Sequence, residues 1–144
     1  MTTLFVDTNV LLYAVGGAHP AKNPCVELLR RIGSGDVTAH ASTELVQEFL
    51  FHRLRRTTRA QALEEARHVV QLCVLHAFDE RVLAKAIDLV DSSGIGGRDA
   101  IHVATALVAG FSQIVSLDAG LDAIAGIQRL TPHHLAVGPG HDAT

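Results

Sequence analysis

At 144 residues the chain fits one ordinary domain, and with 48% apolar residues, 19% charged residues and four prolines it is excluded from wholesale disorder. A net charge of −3 argues against the overall basic footprint of most nucleic-acid-binding proteins, and no apolar run reaches the ~18 residues of a membrane span. The opening MTTLFVD lacks the basic stretch and long apolar core of a secretion signal, so a cytoplasmic protein without a membrane partner is expected, with one domain over 1–132 and a flexible tail over 133–144.

LFV before Asp7 reads as a short buried strand, and TNVLLYAV continues as a helix or turn. NPCVELLRRIGSG is a helix with Pro24 at an early position and Gly33 as its stop. VTAHAS is strand-like, and Ser42 can cap a helix whose apolar stripe is Leu45, Val46, Phe49, Leu50 and Leu54. A charged amphipathic helix from Thr58 to about Leu72 precedes the short strand VLHAF, and a further helix runs from about Glu80 to Val90. The loop SSGIGG delivers into RDAIHVATALVAG, a helix apolar enough to require burial. QIVSLD is a strand, followed by a turn of helix at GLDAI, a weak strand near IQRL and a frayed end, TPHHLAVGPGHDAT. Strands alternating with helices imply an α/β fold with a mainly parallel sheet, in which sites form outside the carboxyl ends of the strands.

Acidic residues recur at apolar junctions: Asp7 and Asp118 at strand ends, Glu48 beside the stripe of its helix, and Asp99 opening the most apolar helix after a glycine loop. Burying carboxylates is costly without a cation or donors. Asp7, Asp99 and Asp118 also suit helix N-caps, and Glu48 suits a solvated helix face, but capping alone does not ask for two acids at strand ends and a third behind a glycine loop. Brought together, the four would form an all-oxygen site for Mg²⁺ or Mn²⁺, as both metal ligands and catalytic groups. Thr8, Asn9 and Ser116 are placed to orient these carboxylates, and His102, three residues beyond Asp99, shares its helix face but is expected simply to be packed. From His52 to Arg59 the run HRLRRTTR holds four arginines and no acid, so Arg53, Arg55, Arg56 and Arg59 are candidate contacts to a phosphate backbone. Two bound divalent cations would turn the net charge of −3 into +1. Cys25 and Cys73 lie in apolar patterns without metal-site spacing, the nine histidines are scattered, and neither a GxGxxG fingerprint nor a Walker loop is present.

These segments resemble the PIN-domain ribonucleases, and among them the VapC-type toxins of toxin–antitoxin pairs, over nearly the whole chain. FVDTNVLLYA is similar to the family's opening strand and first acid, Asp7, with Thr8 and Asn9 as its companions. In STELVQEFLFHRLRR a serine is followed six residues later by Glu48, the family's second acid, a register that disfavours the nearby Glu44. RDAIHVATAL assigns Asp99, and SLDAGLDAI assigns Asp118, although Ala119, Gly120 and Leu121 depart from the usual pattern and Asp122 is a competing acid. The resemblance implies a three-layer PIN-like fold with a central, mainly parallel sheet flanked by helices. It also implies Mg²⁺- or Mn²⁺-dependent cleavage of cellular RNA (tRNA, rRNA or mRNA), homodimers, and inhibition by a cognate VapB-type antitoxin covering the acidic pocket. A non-catalytic PIN-like module that binds RNA or protein is the alternative.

Overall fold

The computed structural model describes residues 2–137. Strand β1 (Thr2–Phe5) leads into helices α1 (Thr8–Val15) and α2 (Lys22–Ser34), followed by β2 (Val37–Ser42), α3 (Thr43–Arg56), α4 (Arg59–Leu72) and β3 (Cys73–His76). Helices α5 (Glu80–Ser93) and α6 (Gly97–Val108) precede β4 (Gln113–Val115), a 3-10 turn (Ala119–Ala123), β5 (Gln128–Leu130) and α7 (Pro132–Val137). β1 pairs in parallel with β2, β2 with β3, and β4 with β5. A parallel bridge from Val6 to Val115, with the Asp7 N–H donating to the Val115 carbonyl at 2.9 Å, joins the two groups in the order β3-β2-β1-β4-β5. The chain leaves β1 toward β2 on one side and returns to β4 on the other, so Asp7 stands where the strand order reverses, the usual ligand crevice of such a sheet.

Alternation along β1 builds the layers, because successive strand side chains face opposite sides. Leu4 and Val6 enter one core with Val10, Leu28, Leu45 and Phe49, while Phe5 enters the other with Val82, Leu89, Val103 and Ile114. Helix α6 is almost wholly enclosed, Ala100, His102, Val103, Ala104, Thr105 and Ala106 all being buried, and this accounts for its apolar sequence. Helices thus flank a central parallel sheet as expected.

Several local expectations need correction. Gly33 lies inside α2; the helix stops at Gly35, whose φ of 88° is the left-handed conformation a glycine cap adopts at low cost. Leu54, assigned to the buried stripe of α3, is 39% exposed near the free end of that helix. Residues 132–137, expected to fray, form α7, which packs on α2 and is tied to it by Arg31 donating to the Leu135 carbonyl. The rest of the expected tail, 138–144, lies outside the described residues. Cys25 and Cys73 are free thiols, each pushed up to about 11 by burial. Among the described residues no helix is long and apolar enough to cross a membrane.

Candidate active site

Asp7 stands two residues past the end of β1, caps α1 and is only 4% exposed. Three donors hold its carboxylate: the Thr8 N–H at 2.7 Å on Oδ1, and the Ser116 hydroxyl at 2.7 Å and Asn9 Nδ2 at 3.3 Å on Oδ2. Ser116 is the hub of this network. Its Oγ donates to Asp7 while accepting from Asn9 Nδ2 at 3.1 Å and from the Asp118 N–H at 3.0 Å, which uses the hydroxyl's full capacity. Asn9 closes the circuit by accepting the Leu117 N–H at 3.1 Å, so its side chain ties the first turn of α1 to the segment that follows β4. Burial nevertheless pushes the Asp7 carboxyl above its ordinary range, and Glu48 adds to the rise, while His102, Ser116 and the Thr8 N–H pull it down.

Glu48 arrives by a different route. Ser42 ends β2 and caps α3 by accepting the Glu44 N–H at 3.0 Å, and less than two helical turns later Glu48 meets His102 of α6. His102 Nε2 lies 3.1 Å from Glu48 Oε2 and 3.2 Å from Thr8 Oγ1, so the ring spans from the second acid to the neighbour of the first. A carboxylate can only accept, which puts the hydrogen on Nε2. The simple packing expected of His102 is therefore incomplete: the ring is buried, but it positions Glu48. Its burial opposes protonation, yet the Glu48 hydrogen bond and the charges of Asp7, Glu48 and Asp99 raise its pKa overall. Chiefly through the same hydrogen bond, Glu48 is held below its ordinary range, with smaller help from His52 and Arg98.

Asp99 stands in the first turn of α6, half-buried. Its carboxyl is pushed up to about 6, first by burial, then by the charges of Asp7 and Asp118 and by a hydrogen bond its protonated form makes to Asp118. Asp118, past the end of β4, accepts the Gly120 N–H at 2.9 Å and caps the 3-10 turn. Its rival Asp122 points elsewhere: Arg129 engages it in an exposed forked pair at 2.9 and 3.1 Å. All four predicted acids thus share one electrostatic field. The basic run divides differently, because Arg53 gives both arms of its guanidinium to Glu65 at 2.8 and 3.3 Å, while Arg55, Arg56 and Arg59 are exposed. Arg98, not singled out in the sequence, acts on Glu48 because α6 opens beside α3; a lone arginine before Asp99 carries no signal of that contact.

The donor chemistry fits a hard divalent cation: oxygen ligands, mutual repulsion that raises Asp99, and no lysine or arginine paired into the set. Among the described residues no three His, Cys, Asp or Glu side chains converge tightly enough to enclose an ion by themselves. Mg²⁺, which retains several waters and takes one or two carboxylates directly, suits such an open set.

The PIN domain family matches residues 4–127, a span that contains all four acids and their supporting residues. The chain belongs to that family. Among curated PIN-domain relatives, Ribonuclease VapC7 of Mycobacterium tuberculosis is 29% identical over 132 residues, covering 90% of this chain and 91% of that protein. Ribonuclease VapC23 of the same species is 33% identical over 119 residues, covering 80% of this chain and 92% of the relative. The DNA-bound VapBC of Salmonella typhimurium superposes with a TM-score of 0.70 over 92% of this chain and 99% of the other, at 14% identity. PAE2754 of Pyrobaculum aerophilum does so with a TM-score of 0.63 over 99% and 98%. This PIN domain therefore shares its fold with solved VapBC chains and is similar in sequence to VapC-type ribonucleases.

Proposed function

We propose that this chain is a divalent-metal-dependent endoribonuclease, the toxin of a type II toxin–antitoxin pair, with Asp7, Glu48, Asp99 and Asp118 as its catalytic and metal-binding groups. The observation that supports the reading is a chain of influences among carboxylates from distant segments: Glu48 raises Asp7, and Asp99 is pushed up to about 6 by burial and then by Asp7 and Asp118. The chemistry that Mg²⁺ or Mn²⁺ supplies when bound is the lowering of a water's pKa and the neutralisation of charge on the phosphate and leaving oxygen. The chain's own part is positioning. Ser116, Asn9 and the Thr8 N–H fix the plane of the Asp7 carboxylate, and His102 holds Glu48 at the wall of the crevice. Asp99 and Asp118 remain half-exposed, where a water and a phosphate can reach them. Arg55, Arg56 and Arg59 are offered as contacts to the RNA backbone, with Arg53 buttressed behind them by Glu65.

VapC names among the relatives and VapBC complexes among the structural neighbours support a VapB-type antitoxin as partner; homodimers and cytoplasmic action on tRNA, rRNA or mRNA are part of the same proposal. The test is cleavage of total cellular RNA by the purified protein with Mg²⁺, Mn²⁺ or EDTA, alongside Asp7→Ala and Asp99→Ala. Discrete metal-dependent fragments, lost in both folded variants, are expected. Cleavage retained in either variant removes that acid from the site. No cleavage with any metal, together with Mn²⁺ binding no tighter than that of Asp7→Ala, supports the non-catalytic module instead.

A further inference from the structure

Beside the acids, a cavity of about 420 Å³ opens between α3 and α6. Its α3 wall carries Glu44, Gln47, Glu48 and Phe51, residues three or four apart that share one face, and its α6 wall carries Arg98 and His102. Two lining residues, Glu48 and His102, belong to the acid network, so the cavity is an extension of the reaction centre. The volume lies within the range of small-ligand sites. Phe51, aromatic yet 48% exposed, lines it, and the Arg55 guanidinium carbon lies over its ring at 5.1 Å from the centroid. Gln47 is exposed with a free amide donor and acceptor, and the Arg98 cation lies at the same wall.

We infer that this cavity is a nucleobase subsite that seats the base next to the scissile phosphate of a single-stranded RNA, with Phe51 as the stacking surface, Gln47 and Glu44 reading the base edge, and Arg98 facing the adjoining phosphate. The inference rests on the nuclease reading above and supplies the sequence selectivity that the four acids cannot. An aromatic ring accepts the π-face of any base, so Phe51 contributes grip without discrimination, whereas an amide and a carboxylate distinguish donor from acceptor edges. A cation beside Glu48 also balances the approach of a polyanion to an acidic wall. An apolar protein segment could also contact Phe51, but Gln47, Glu44 and Arg98 at the same opening favour a ligand with a hydrogen-bonding edge and a phosphate.

The experiment uses the purified full chain, Mn²⁺ and a synthetic single-stranded RNA pool with randomised central positions, reading both cleavage-end sequences and kinetics on one preferred oligonucleotide. The expected results are a base preference at one position flanking the cut, a rise of about tenfold in KM for Phe51→Ala with kcat far less affected, recovery in Phe51→Tyr, and a flattened or switched preference in Gln47→Ala. Phe51 lies at the surface, so the variants retain the fold, checked by circular dichroism. If the wild type cuts but Phe51→Ala keeps its KM and Gln47→Ala keeps its preference, the subsite is overturned and the nuclease stands. If Phe51→Ala changes only the oligomeric state in light scattering, the face binds protein and the inference fails. If the wild type cuts nothing, the nuclease reading itself falls and the subsite with it.

Discussion

Replacing Asp99 by asparagine should stabilise the metal-free protein at neutral pH. The folded carboxyl titrates at about 6 against an ordinary 3.8, because burial and the charges of Asp7 and Asp118 disfavour its ionised form. A folded pKa raised above the unfolded one contributes stability that is full below the unfolded value and lost as pH rises through the folded one, so above pH 6 the wild type has lost it. The shift corresponds to about 3 kcal/mol. Asp99 is only half-buried, and solvent screening reduces this to about 1–2 kcal/mol. Asparagine keeps the size, stays neutral and retains a donor toward Asp118. Urea unfolding in EDTA at pH 7.5 should therefore show the variant more stable by about 1–2 kcal/mol, a gain of roughly 2–8 °C in Tm. The gap should narrow at pH 5, where the wild-type carboxyl is protonated. Excess Mn²⁺ should reverse the order, since the wild type gains binding energy that the variant lacks. A variant no more stable than wild type at pH 7.5, or a gain equally large at pH 5, would refute the reasoning.

Ser116→Ala removes the hydroxyl shared by Asp7, Asn9 and the Asp118 N–H, and should cost about 1–3 kcal/mol in urea unfolding and roughly 10–100-fold in RNA cleavage. Asp118→Asn should lower the pH at which Asp99 titrates, followed by NMR of the carboxyl carbon, because one of the charges that raises it is gone. Asp122→Asn breaks only the surface pair with Arg129 and should leave cleavage within about twofold of wild type. His40 is held below its ordinary pKa by burial and then by His76, whose Nε2 lies 2.8 Å from His40 Nδ1. Its contribution to stability is full above 6.5 and declines as pH falls below that value, so His40→Gln should lose less stability than wild type between pH 6.5 and 5 in paired urea titrations.

Much of this architecture is legible in the chain because local chemistry and tertiary structure agree. Ser42, expected as a cap, accepts the Glu44 N–H, and Thr58, where a helix was expected to begin, accepts the Gln61 N–H. The apolar density of 100–106 demanded an enclosed helix and found one. Asp7 and Asp118 announced themselves as acids at strand ends, and a parallel sheet brings such ends to one edge. Where the reading slipped, a short-range rule met a long-range contact: Gly33 was tolerated inside α2, and the PHHLAV segment gained enough by docking on α2 to remain helical.

The sequence by itself determined the α/β class with a mainly parallel sheet, because alternating strand and helix patterns follow from periodicity and spacing within a few residues, while the three-layer arrangement and the choice among the acids came from the family resemblance. Only the tertiary structure decided which side chains act together. It made Asn9 a tie between the start of α1 and the segment after β4, turned His102 from a packed ring into the holder of Glu48, committed Asp122 to Arg129, and set Arg98 and Phe51 on the walls of one cavity. Those pairings join residues from 7 to 108 positions apart. Two of the four depend on how α3 and α6 settle over the sheet, and no local pattern encodes the distance between two helices that meet only after the chain has folded.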